Sequence, residues 1–209
     1  MAVVDKNVNN ENKEARRLRR RPEAARENVL AAAEAMLVAS GPQSLKLAEV
    51  ARAAGVSNAT VLHHFGSIDA VQAALMERMV RRLVDEVLAI TAGAVDSSES
   101  ASGAVTALFD AFEAKGAARL AAWLELTGEA RRLTVVRTAV REVIEARVGR
   151  FASVPAEMLE DFMLASISMA LAVGLFGSTL GELLGKPPAR AREVVLSLLL
   201  ARLQQAMTV

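Results

Sequence analysis

The chain offers few side chains that can do covalent or metal chemistry. Cysteine is absent, and the two histidines, His63 and His64, are sequence neighbours. Adjacent side chains on a helix point about 100° apart, so the pair does not readily grip one metal ion. Without a thiol or a further imidazole, a histidine-based catalytic dyad and a nitrogen-rich metal site are both ruled out. The carboxylate pairs Asp85/Glu86 and Glu160/Asp161 are each adjacent in sequence, which suits solvated surface rather than an acid and a base facing each other across a cleft. No glycine-rich phosphate loop is present. These residues argue against an enzyme and call for no metal or cofactor. What remains is hydrogen-bonding chemistry: Ser57, Asn58, Thr60, His63 and His64 crowd together around Ala59. Amide, hydroxyl and imidazole groups suit base edges, and an alanine methyl can touch a thymine methyl.

Such groups read a base only when a rigid element presents them. Residues 44–69, SLKLAEVARAAGVSNATVLHHFGSID, supply one. Leu45, Leu47, Val50 and Ala51 form an apolar face at helical spacing, with Ser44 or Lys46 near its start. Ala54-Gly55 stops that helix, since glycine takes the left-handed backbone that closes a helix. Val56 can tuck under the turn, and Ser57 can cap the next helix by accepting a bond from an orphan N–H. The second helix runs over residues 58–65, with Val61, Leu62 and Phe65 expected on its buried side and Asn58, Ala59, Thr60, His63 and His64 outward. Two such helices make a helix-turn-helix whose second member enters a major groove.

At these residues the chain resembles the TetR/AcrR family of bacterial transcriptional repressors. The matching residues are Val50-Ala51, Ala54-Gly55-Val56-Ser57, Thr60, Val61, His64-Phe65 and Gly66-Ser67, and the likeness covers roughly residues 24–72. Three positions depart from the family pattern: Leu62 stands where Tyr is usual, Ile68 where Lys is usual and Lys46 where Thr is usual. The family's Tyr and Lys touch phosphates, so those two contacts do not carry over, and Lys46 is the residue that can replace one. The resemblance implies a dimer and a small-molecule effector that releases DNA from a helical C-terminal domain.

Formal net charge is only +1, yet it is unevenly placed. Residues 1–21 hold seven Lys/Arg against three Asp/Glu, residues 22–66 three against four, and residues 67–209 fifteen against seventeen. The surplus sits in an arm just before the first helix, where Arg19, Arg20 and Arg21 can follow phosphates or enter a minor groove. His64 and Lys46 are expected to hold phosphates as well. The N-terminus lacks the apolar run of a secretory signal, which predicts a cytoplasmic protein.

The remaining sequence reads as helix throughout, so the expected fold is all-α: a flexible basic arm (1–21), a three-helix DNA-binding domain (22–66), and a helical effector-binding and dimerisation domain (67–209) entered through a connecting helix (67–91). Val29, Leu30, Ala33, Met36 and Leu37 mark the supporting helix until Gly41-Pro42. Ala92–Gly103, rich in Gly, Ser and acids, reads as a loop. Further helices are expected over 104–115, 117–127, 129–151, 155–184 and 189–207.

Residues 162–181 carry no charge. Twenty helical residues span about 30 Å, enough to cross a bilayer, so a membrane-anchored helical protein is the rival reading. Four hydroxyl residues and many small ones favour instead a helix that packs one side in its own core and the other against a partner. The expected dimer residues are Ser166, Ala170, Gly174, Gly177, Val195, Leu199 and Leu203. Phe109, Phe112, Trp123, Met163 and Phe176 are expected to line an apolar effector cavity, with Glu125 or Arg137 as its polar anchor. The reading is thus a repressor that binds a double-stranded DNA operator as a homodimer and is released by a small, largely apolar molecule, with no membrane involved; a helical enzyme is the remaining alternative.

Overall fold

Val29, Leu30, Ala33 and Leu37 recur at helical spacing, and all four are buried along α1, residues 23–40. This computed structural model describes residues 23–92, 98–129 and 156–208, together with Thr138, Arg141 and Glu145. Among the described residues there is no strand. The chain divides into two compact units, and the division falls between Gln72 and Ala73.

In the first unit, α1 ends at Gly41, whose φ of 82° only glycine adopts cheaply. A 3-10 turn, Pro42–Ser44, follows. The Ser44 hydroxyl donates to the Gly41 carbonyl at 2.7 Å, so Ser44 tightens the turn rather than capping α2. Helix α2 (Leu47–Ala53) and helix α3 (Asn58–Phe65) then contribute Val50, Ala51 and Val61 to the buried interior. Helix α4 (Ile68–Ala92) starts from Ser67, whose hydroxyl accepts the Ala70 N–H at 3.1 Å. Its buried Gln72 donates to the Leu45 carbonyl at 3.3 Å, so a polar side chain inside the unit has a partner. The unit boundary thus lies within one continuous helix.

In the second unit, α5 (Ser98–Phe112), α6 (Ala117–Leu126), α7 (Ala156–Leu183) and α8 (Arg190–Thr208) surround a core of Val105, Phe109, Ala170, Val173 and Leu199. A smaller cluster joins Met163 to Val80, Val84, Val87 and Leu88 of α4. Helix α7 approaches its neighbours closely at Gly174, where an added Cβ would lie 2.7 Å from the Ala118 Cβ and 2.9 Å from the Phe112 carbonyl oxygen. At the other side of the core, Arg192 of α8 reaches Asp110 at 2.6 Å and Glu113 at 3.2 Å on α5 and its end. Desolvation pulls the Arg192 pKa down, but the hydrogen bonds and charges of Asp110 and Glu113 outweigh it and hold the guanidinium above its ordinary value.

Two expectations change. The stretch read as a loop at 92–103 is helical from Ser98 onward, where serines precede Glu99 in the first turn of α5. Hydroxyl and acidic residues that signal a loop in isolation also suit the positive end of a helix. The helix expected over 104–115 therefore starts six residues earlier and ends at Phe112. Most of the helix expected over 129–151 lies outside the described residues, where only Thr138, Arg141 and Glu145 are seen to be helical. By length and composition alone, Glu160–Leu183 could cross a membrane, with a mean hydropathy of 1.8.

Candidate nucleic-acid interface

The bend between α2 and α3 is built by backbone bonds. The Val56 N–H donates to the Ala51 carbonyl at 3.0 Å and the Gly55 N–H to the Arg52 carbonyl at 3.1 Å, the two bonds of a Schellman close. Gly55 adopts φ 67°, the left-handed conformation such a close demands. Asn28 of α1 braces the same bend: its amide donates to the Ala54 carbonyl at 2.6 Å. The next helix begins at once, because the Ser57 hydroxyl accepts the Thr60 N–H at 3.1 Å. At the far end of α3, the Gly66 N–H closes onto the Leu62 carbonyl at 2.8 Å with φ 82°. Arg26 of α1 stacks its guanidinium 4.7 Å from the Phe65 ring centroid, a cation–π contact that fixes the end of α3 against α1.

Held this way, α3 has two distinct sides. Val61 is fully buried, with His64, Phe65 and Thr60 half-buried around it. Asn58, Ala59, Leu62 and His63 are exposed. Asn58, Ala59 and His63 therefore lie on the exposed side of α3, and exposed Lys46 stands at the start of α2. Ser57 and Thr60 are occupied locally, their hydroxyl oxygens 2.9 Å apart. The His63 and His64 rings meet edge to face, their centroids 5.3 Å apart at an interplanar angle of 68°. Arg19, Arg20 and Arg21 lie outside the described residues.

The expectation that Leu62 faces the interior is corrected: it is 41% exposed. The apolar side of an eight-residue helix is narrow, and Val61 with Phe65 one turn later already fills it. Asn28 and Arg26 carry no signal in the sequence, because contacts between residues far apart leave no local pattern.

Of the residues expected to line an effector cavity, only Phe109 and Phe112 share one cluster among the described residues. Phe109 is completely buried in the core with Phe112 packed beside it, and Met163 belongs to the separate cluster on α4. Trp123 is half-buried, Glu125 is exposed, and Phe176 is 57% exposed. Arg137 lies outside the described residues. The second unit does hold a cleft of about 710 Å³, lined by residues that include Glu86, Ile90, Glu99, Asp110, Leu200 and Gln204. Two of its acids are already paired, Glu86 with Lys115 at 3.2 Å and Asp110 with Arg192.

The residues expected at a dimer interface are mostly turned inward. Ser166, Ala170 and Leu199 are buried within the single chain, and Gly177 is buried with its Cβ position 3.4 Å from the Ala191 Cβ. Gly174 meets α6, Val195 packs on the core, and Leu203 is half-buried. Small residues permit close approach of helices, and here they serve the intrachain contacts of α7. The side of α7 left bare carries Met169, Phe176, Leu180 and Leu183, with Leu198 exposed on α8.

Residues 29–75 match the family described as bacterial regulatory proteins, tetR family. An HTH-type transcriptional regulator of Mycobacterium tuberculosis is 34% identical over 108 residues, which is 52% of each chain. This chain thus spans about half the length of the curated relatives it matches. Among solved structures, a transcriptional regulator from Rhodococcus sp. Rha1 superposes with a TM-score of 0.61 at 22% identity, covering 88% of this chain and 98% of that one. The fatty acid degradation regulator FadR from Bacillus halodurans gives a TM-score of 0.59 at 18% identity, covering 84% and 94%. At these identities the likeness is one of fold.

Proposed function

We propose that this chain, whose residues 29–75 match the tetR family of bacterial regulatory proteins, is a transcription regulator of that family that binds double-stranded DNA with the exposed side of α3. The supporting observation is the pairing of a free polar side with a fixed back: Asn58 and His63 are exposed while Val61 is fully buried. A side chain reads a base only when its backbone does not drift, and the Asn28 brace, the Schellman close and the Ser57 cap supply that stiffness. Asn58 suits adenine, His63 suits an acceptor edge, and Ala59 suits a thymine methyl. The arm with Arg19, Arg20 and Arg21, together with Lys46, adds phosphate contacts that position the reader without selecting sequence. Selection of bound fragments from random duplex DNA tests the proposal, since a reader recovers one motif and a protein of another class recovers none.

The regulator works as a homodimer. One eight-residue helix contacts too few base pairs to be selective, and a two-fold partner doubles the site. The bare side of α7, with Met169, Phe176, Leu180 and Leu183, supports this reading. It also offers a use for the apolar length of Glu160–Leu183 in a cytoplasmic protein, with no bilayer required. The dimer represses, and a small molecule that prefers the conformation of α4 unsuited to the operator releases it. Linkage then requires that DNA weaken the molecule's binding by the factor by which the molecule weakens DNA binding.

A further inference from the structure

On α3 the exposed positions are Asn58, Ala59, Leu62 and His63. At 3.6 residues per turn, Leu62 lies about 40° around the axis from Asn58 and about 60° from Ala59, so it falls between them, one turn further along. It is therefore on the reading side and not at its margin. The residue is 41% exposed, whereas the preceding Val61 is fully buried. Beyond it comes Gly66, exposed and without a side chain, so nothing of the helix's own covers the Leu62 methyl groups in that direction. Its neighbours on this side are an amide, a single methyl and an imidazole, which do not continue into an apolar patch of the size a protein partner needs.

A leucine has no donor or acceptor, so it cannot hold a phosphate oxygen or a base's polar edge. One apolar group in the major groove is available to it, the 5-methyl of thymine, which projects from the groove floor and distinguishes that base from cytosine. We infer that Leu62 is a specificity-determining residue that reads one thymine through its 5-methyl group. The inference rests on the DNA-binding reading above and adds a base preference to it: selection at the Leu62 position comes from apolar contact, beside hydrogen bonding by Asn58. The chemistry is that proposed for Ala59, but the two side chains lie about 60° apart around the helix, so Leu62 takes a thymine of its own.

The test uses the full chain and the duplex recovered by selection. Each thymine of one half-site is replaced in turn by deoxyuridine, which lacks only the 5-methyl, and affinity is measured for the wild type, Leu62→Ala and Leu62→Met. One replacement is expected to weaken the wild type about four-fold, the transfer value of a single buried methyl group. The same replacement is expected to leave Leu62→Ala unchanged and to weaken Leu62→Met as it does the wild type, with all three proteins melting at the same temperature. If deoxyuridine costs the same in wild type and Leu62→Ala, or costs nothing at any position, Leu62 does not read the methyl. A uniform loss for Leu62→Ala on every sequence likewise overturns the inference by making the contact one with sugar. Recovery of no preferred duplex is a separate failure, seen at the selection step, and removes the regulator reading itself.

Discussion

The side-chain amide of Asn28 donates to the carbonyl of Ala54 at 2.6 Å across 26 residues, joining the first helix to the last residue before the Gly55 bend. That carbonyl belongs to a buried alanine with little water to replace the bond. Asn28→Ala is expected to cost about 1–2 kcal/mol of stability, the usual penalty for stranding a shielded polar group. Chemical denaturation measures it, and an unchanged midpoint would show that the bend holds without the brace.

Gly55 separates conformation from crowding. Its φ is +67°, yet a Cβ there would meet nothing within 4 Å. Gly55→Ala should therefore lose only the cost of a left-handed alanine, about 1–2 kcal/mol. Gly55→Asn should lose less, and the order of the thermal midpoints checks the argument.

Ser57 and Asn58 are adjacent, but their substitution should have different effects. Ser57 caps α3, so Ser57→Ala should lower stability by about 1 kcal/mol. Asn58 is exposed, so Asn58→Ala should leave stability alone and weaken specific DNA binding by about 1–3 kcal/mol while sparing non-specific binding. Equal losses on operator and random duplex would remove Asn58 from base reading.

Deleting residues 1–21 removes seven cationic residues. The slope of log affinity against log salt is expected to flatten by about 0.9 for each phosphate that the arm no longer neutralises. A titration at several salt concentrations reads this directly, and the same slope with and without the arm excludes it from the interface.

The two sides of α7 should fail in different ways. Phe176→Glu places a charge at a position 57% exposed in the single chain, and is expected to give folded monomers by sedimentation. Gly174→Leu drives a side chain into Ala118 and the Phe112 carbonyl, and is expected to lower the melting temperature instead. In both cases the protein should stay in the supernatant after membranes are pelleted. Recovery of the wild type in the membrane pellet would restore Glu160–Leu183 as a span.

Local physics makes the helix-turn-helix legible in the sequence and leaves the second unit only partly so. Gly55, Ser57 and Val61 each declare themselves through one neighbour or one helical turn, and each sits as its residue type predicts. Leu62 does not, because apolar character alone does not say which of two adjacent apolar residues a narrow core can hold. The same ambiguity is larger on α7, where apolar residues surround the helix. There the small residues Ala170, Gly174 and Gly177 turn toward the chain's own helices, while Met169, Phe176, Leu180 and Leu183 stay outside. Of the expected effector residues, Phe109 is buried in the core and Phe176 is exposed, because helical spacing shows that each faces something without saying whether that is a core, a cavity or solvent. Asn28 and Arg26 act across distances that no local pattern records.

The uncovered stripe of Met169, Phe176, Leu180 and Leu183 has a cost that a lone copy bears by itself. If a second copy relieves it, heat resistance becomes a function of how much protein is in the tube, and dilution lowers the melting point by mass action. Scarce molecules would then be both poorer DNA binders and shorter-lived, so abundance alone would set a threshold below which the genes under control escape.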